Sequence, residues 1–152
     1  MKFTDSSGKT IALPADKDIA WRISGYAVVK NNLGQFLMVQ SGSGLWHFPG
    51  GGIEVQEEIS QGVARECLEE TGYKMAVSPQ VLHTNEQYFY HSREQEFYHS
   101  IQLFFEAHLL DDEPDTSFVT GHDAERQSKW LNPSTLKPAE LHPTVRELAK
   151  KL

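Results

Sequence analysis

Apolar and polar positions alternate along most of the chain, and the spacing turns helical in two places, at residues 59–71 and near the end. "GKTIALP" predicts a short strand entered after a turn at Ser6–Gly8, and "WRISGYAVVK", rich in β-branched and aromatic residues, predicts a longer one. The turn signal "NNLG" follows and then "QFLMVQ", so these two strands are expected to form a hairpin. "SGSG" reads as a flexible loop, and "LWHFPGGG" as an apolar stretch stopped by Pro49 and three glycines. From Ile59 to Thr71 the pattern is helical, with Gly72 where a left-handed cap residue would close the helix. "YKMAVSPQVLHTNEQYFYH" and "FYHSIQLFFEAHLL" predict strands joined by the polar "SREQE", the clearest being Ile101–Leu110.

Residues 111–127 form an acidic loop, long enough to suggest a functional or mobile segment. "SKWLN" predicts a short strand. "HPTVRELAKKL" predicts a final helix with Val145, Leu148 and Leu152 on one face, Pro143 in its first turn, and Lys150 and Lys151 at the negative end of its dipole. Strands flank a central helix without regular βαβ alternation. The expected fold class is therefore mixed, an α/β or α+β sandwich.

A length of 152 residues predicts a single domain spanning 1–152. The net charge of -7 argues against binding a nucleic acid polymer, which needs clustered Lys and Arg. It leaves room for a small anion, because a divalent cation can reverse the local field. Cys67 is the sole cysteine, so no intramolecular disulfide forms, which is compatible with a reducing compartment. "MKFTDSSGKT" lacks the apolar core of a signal peptide, and no run approaches the roughly 18 apolar residues of a membrane span. These features lead to the expectation of a soluble, cytoplasmic protein without a membrane partner.

The helical stretch contains "RECLEE". At about 100° per residue, Val63, Ala64, Cys67 and Leu68 fall on one side, with Glu66, Glu69 and Glu70 along an adjoining edge. Like charges at this spacing repel. Two readings account for the triplet: a solvated acidic face, or an oxygen-ligand seat for a hard cation such as Mg²⁺ or Mn²⁺. "PGGG" just upstream brings bare backbone to the helix start, where a metal or phosphate could approach closely.

The wider spacing is more specific. After Gly51, five residues lead to Glu57 and seven more to Arg65–Glu66; then come Cys67, Leu68, Glu69–Glu70, Thr71, Gly72 and Tyr73. This resembles the Nudix box, G-x5-E-x7-R-E-U-x-E-E-x-G-U, with U bulky and apolar, and every charged and glycine anchor is present. "LWHFPGGGIE" also looks like the usual approach to the box. Departures are Cys67 where a larger aliphatic residue is usual, Gln56 where glycine is common, Glu58 where Ser or Thr often opens the helix, and Gly62 within it. A helical glycine costs roughly 1 kcal/mol relative to Ala.

The resemblance implies a Nudix-like α/β/α sandwich with a mixed central sheet. It implies metal ligation by Glu66, Glu69, Glu70 and the carbonyl of Gly51, and an ion pair of Glu57 with Arg65 bracing the loop against the helix. It implies Mg²⁺-dependent hydrolysis, with Mn²⁺ as a substitute, of a pyrophosphate linkage in a small nucleoside diphosphate derivative. A nucleoside triphosphate, dinucleoside polyphosphate, nucleotide sugar or ADP-ribose would qualify. Homodimers are frequent in such a family. Glu66 is the first choice of general base. Among the loop acids, Glu125, five residues before Trp130, and then Asp123 are its rivals. Tyr90, Tyr88 and Phe48 are candidate substrate-lining residues; strand alternation sends Tyr88 and Tyr90 to one face and Phe89 to the other. Cys67, on the apolar side of the helix, reads as a structural thiol. The alternative function is a Nudix-like module that binds or senses a nucleotide without hydrolysis. Such modules tend to lose box carboxylates, and all of them are present here.

Overall fold

The computed structural model describes residues 1–120 and 127–152. The first residues form two short strands, β1 (Phe3–Thr4) and β2 (Thr10–Ile11), which pair antiparallel with Phe3 opposite Ile11. β3 (Ile19–Val28) runs parallel to β8 (Glu96–Leu109) over its whole length, and β8 pairs antiparallel with β7 (Met75–His91). With β6 (Gly50–Gly52) antiparallel to β3, the sheet order is β2-β1-β7-β8-β3-β6. It is a mixed sheet. A second sheet contains β5 (Trp46–His47), β4 (Phe36–Gln40) and β9 (Ser128–Leu131) in that order.

The expected hairpin of β3 with β4 closes only beside its turn, and the two strands then part into different sheets. The chain crosses from one sheet to the other at Asn31–Gly34, joined there by an isolated antiparallel bridge, Lys30 with Phe36, and by the Leu37 N–H to Val29 C=O and Asn31 N–H to Gln35 C=O bonds of 3.0 and 2.8 Å. The reason lies in "FLMV": Phe36, Leu37, Met38 and Val39 are all buried, so β4 is apolar on both faces. A strand of that composition is stabilised between two apolar layers rather than at the rim of one sheet.

Two core clusters follow from this. One joins Leu37 to Ala27, Val29, Phe105 and Ala107 of the main sheet and to Val63 and Cys67 of α1 (Ile59–Thr71). The other joins Met38, Trp46, Phe48, Val28 and Phe104 to Val145 and Leu148 of α2 (Pro143–Ala149). The result is an α/β/α sandwich with a mixed central sheet. α2 stops earlier than the apolar spacing suggested, and Leu152 lies outside it, exposed.

α1 starts with the Gln61 side chain accepting the Glu58 N–H at 3.2 Å, half of a capping box, so Glu58 serves where Ser or Thr was expected. It ends at Gly72, φ 76°, whose N–H reaches Leu68 C=O at 2.8 Å. Gly62, unfavourable by helix propensity, has a packing reason: a Cβ there would fall 2.6 Å from Glu57 Oε1. The bare helix surface lets the Glu57 carboxylate lie against α1.

Candidate active site

β6 lies against the edge of β3 and leads through residues 53–58 into α1, and a cleft of about 550 Å³ opens beside this glycine strand. Glu66, Glu69 and Glu70 line one side of it, with Gly50, Gly51 and Gly52 beneath them. Glu70 is buried at 4% exposure and its Oε2 accepts the Gly50 N–H at 2.9 Å. Gly50 has φ 142°, and a Cβ on it would collide with the Gly25 carbonyl, so only glycine lets β6 lie this close to β3. A Cβ on Gly51 would fall 2.6 Å from Glu66 Oε2, so the bare backbone is also what admits that carboxylate.

Arg65 organises the acids from the outer side. Its Nε and Nη2 contact both oxygens of Glu57, at 3.0 and 2.6 Å; Nη1 contacts Glu66 Oε1 at 2.9 Å and Glu69 Oε2 at 3.4 Å. Nη2 also donates to the Gly52 carbonyl at 3.2 Å. The Arg65 guanidinium holds the Glu57 carboxyl below its ordinary range, and Glu57 in turn raises Arg65 further above its own. The bidentate fork fixes the loop 53–58 to the helix.

Among the described residues, no three acidic, histidine or cysteine side chains are already gathered as a metal cage. The donor set nevertheless fits a hard divalent cation: three carboxylates on one helical edge beside the glycine backbone, with Arg65 compensating Glu66 and Glu69. Rotation of Glu66 and Glu69 away from Arg65 would bring their oxygens into the cleft, since both already line it.

Away from the acids the cleft floor is the sheet itself. Arg22, Ser24 and Tyr26 come from β3, Ser100 and Gln102 from β8, and Gln87, Phe89 and His91 from β7. Burial, followed by the Glu70 charge, pushes the Tyr26 phenol up to about 12, so it stays protonated. His47 and His142 close the other side, their rings 6.4 Å apart. His47 Nδ1 lies 2.8 Å from the Phe48 carbonyl, and that contact makes Nδ1 the protonated nitrogen. His142 caps α2, its Nδ1 accepting the Thr144 N–H at 3.4 Å, and burial lowers its pKa to about 4.

The remaining candidates fall elsewhere. Phe48 is wholly buried against Phe36 and Phe104, so it belongs to the core and not to the cleft. Tyr88 stacks on His99 at 4.4 Å and Tyr90 meets Phe97 at 4.7 Å, on the face of β7 away from the cleft. Phe89, between them, is the aromatic that lines it. Cys67 is fully buried, its Sγ 3.6 Å from the Pro49 carbonyl, and burial pushes the thiol up. Glu125 and Asp123 lie outside the described residues. Arg22, Ser24, Ser100, Gln102, His47 and His142 escaped the sequence reading. The only signal was polar residues at alternate positions inside β-rich segments, a pattern that ordinarily marks the solvent side of a sheet.

The NUDIX domain profile matches residues 21–152, so the chain belongs to the NUDIX family. A curated relative, the RNA pyrophosphohydrolase of Zymomonas mobilis, is 31% identical over 99 residues, which is 60% of this chain and 64% of the relative; the match therefore spans less than two thirds of that protein. The fold is shared with solved structures. A MutT protein from Methanosarcina mazei has a TM-score of 0.64 at 21% identity, covering 88% of this chain and 94% of that one. An ADP-ribose pyrophosphatase from Streptococcus suis has a TM-score of 0.58 at 20% identity, covering 86% and 90%. Among the described residues no helix is long and apolar enough to cross a membrane.

Proposed function

We propose that this chain, acting as a single domain, hydrolyses a pyrophosphate linkage in a small nucleoside diphosphate derivative with Mg²⁺ or Mn²⁺. The observation that carries the reading is the meeting of Glu66, Glu69 and Glu70 in one cleft on the bare strand Gly50–Gly52. Family membership supports it, as do relatives named RNA pyrophosphohydrolase and ADP-ribose pyrophosphatase. Glu66, Glu69, Glu70 and the Gly51 carbonyl are the proposed ligands. A bound divalent cation would neutralise diphosphate charge and polarise the P–O bond.

The protein's own residues supply the rest. Glu57 and Arg65 hold the carboxylate edge in place. Glu66 is the proposed general base, taking a proton from water as it attacks one phosphorus, while the other phosphate leaves. The Gly50–Gly52 backbone allows the phosphate chain to lie close to the carboxylates.

The decisive measurement is a screen of nucleoside triphosphates, dinucleoside polyphosphates, nucleotide sugars and ADP-ribose with millimolar Mg²⁺. Turnover of one class, lost on chelation, is expected. Tight binding with no turnover of any would overturn hydrolysis and favour the sensing module.

A further inference from the structure

The floor of the cleft has an unexpected composition. Ser24, Ser100 and Gln102 are 4%, 2% and 3% exposed, yet none is a residue of the carboxylate edge. They occupy neighbouring positions across two strands: Ser24 pairs in register with Gln102, and Ser100 lies two residues before it. On β7, Asn85 stands opposite Gln102 and Gln87 opposite Ser100.

A buried polar side chain without a partner is costly, so the hydrogen bonds of this row decide its purpose. Gln102 Oε1 accepts from Asn85 Nδ2 at 3.2 Å. The Gln102 side chain makes no other hydrogen bond among the described residues, and Gln102 lines the cleft. The Ser24 and Ser100 hydroxyls are 3.3 Å apart, longer than the 2.7–2.8 Å typical of a good O–H···O bond. Ser24 meets both Ser100 and the Tyr26 hydroxyl, and Gln102 is braced by Asn85 on one side with its amide N–H left for the cleft.

Its position relative to the acids matters too. β6 carries Gly51, β3 lies next to it, and β8 is one strand further. At about 4.8 Å per strand, Gln102 stands about 10 Å from the glycine strand. A phosphate and a sugar ring fill that length. Phe89 on β7, one strand beyond and also lining the cleft, offers a flat apolar face for a ring.

We propose that Gln102, oriented by Asn85 and flanked by Ser24 and Ser100, is the specificity-determining residue for the base, its amide N–H reading a ring carbonyl in preference to an amino group. This deepens the hydrolase reading and rests on its assignment of a nucleotide to the cleft. The geometry favours substrates whose base carries a carbonyl at the edge that enters the site. Gln102 contributes a donor there, and an amino group would meet it donor to donor.

The test is calorimetric titration of the intact chain, in Mg²⁺ buffer, with UMP against CMP and IMP against AMP. Each pair exchanges a ring carbonyl for an amino group, and neither needs turnover. The expected result is at least one pair in which the carbonyl partner binds about tenfold tighter. The isosteric Gln102→Glu should reverse that order by presenting an acceptor, and Gln102→Leu, with its fold checked by circular dichroism, should abolish it. Equal binding within both pairs, preference for the amino partner, discrimination that survives Gln102→Leu, or no binding of any of the four would each overturn the proposal. Discrimination without hydrolysis of any substrate in the screen would sink the hydrolase reading and leave this subsite standing. Hydrolysis without discrimination would do the reverse.

Discussion

The two sides of the cleft are built on opposite terms. The helix edge carries carboxylates: Glu66 and Glu69 pair with Arg65, and Glu70 accepts the Gly50 N–H. The sheet floor carries none at Ser24, Ser100 and Gln102, and buries them more completely than Glu66 or Glu69. Charge at an accessible edge can be compensated by a cation that comes and goes. Neutral donors on a rigid sheet hold one geometry and discriminate shape and hydrogen-bond pattern. The division suggests that one side serves the reaction and the other serves selection.

The strongest way to break that comparison is to remove charge without volume. Glu66→Gln and Glu69→Gln should each lower kcat about 10²- to 10⁴-fold with an unchanged circular dichroism spectrum. Near-wild-type turnover of both would remove the reacting role from this edge.

His142 gives the next largest effect, on stability. Its pKa is about 4 in the folded chain against an ordinary 6.5, so between those values the unfolded chain binds the extra proton. Stability should therefore fall as pH drops from 6.5 to 4, by up to about 3 kcal/mol at 1.4 kcal/mol per unit. Urea melts across that window should be flatter for His142→Asn, which keeps a helix cap but does not titrate.

Glu57→Gln sharpens the role of the brace. It weakens the bidentate contact with Arg65, and a loss of about 2 kcal/mol in urea unfolding at pH 7 is expected. Because Arg65 lowers the Glu57 pKa, the wild-type advantage is present above the ordinary carboxylate range. It should shrink as pH falls through the lower folded value. An advantage that does not change with pH would point to packing against Gly62 instead.

The smallest effect belongs to the floor. Ser100→Ala should raise KM by about tenfold or less while changing kcat little, since one neutral hydrogen bond contributes about 1 kcal/mol. A fall in kcat comparable to that of Glu66→Gln would erase the division between the two sides.

The sequence by itself determined the helix 59–71, its glycine cap and the carboxylate edge. These are set by spacing along one local stretch, where helical geometry fixes which residues share a side. The Glu57–Arg65 pairing was legible only through the resemblance to the Nudix box, because Glu57 precedes the helix. The sequence also showed that Tyr88 and Tyr90 share a face, but not which face meets the cleft. Tertiary structure decided that, and it decided the floor. Along the start of β3 the ordinary rule is inverted: Trp21 and Ile23 are 69% and 44% exposed, while Ser24 is buried. α1 covers the apolar side only from Gly25 onward, where Val63 packs, and the polar side lies under the cleft. Alternation tells which residues share a side of a strand. Only the packing of helices and strands distant in sequence settles which side is enclosed.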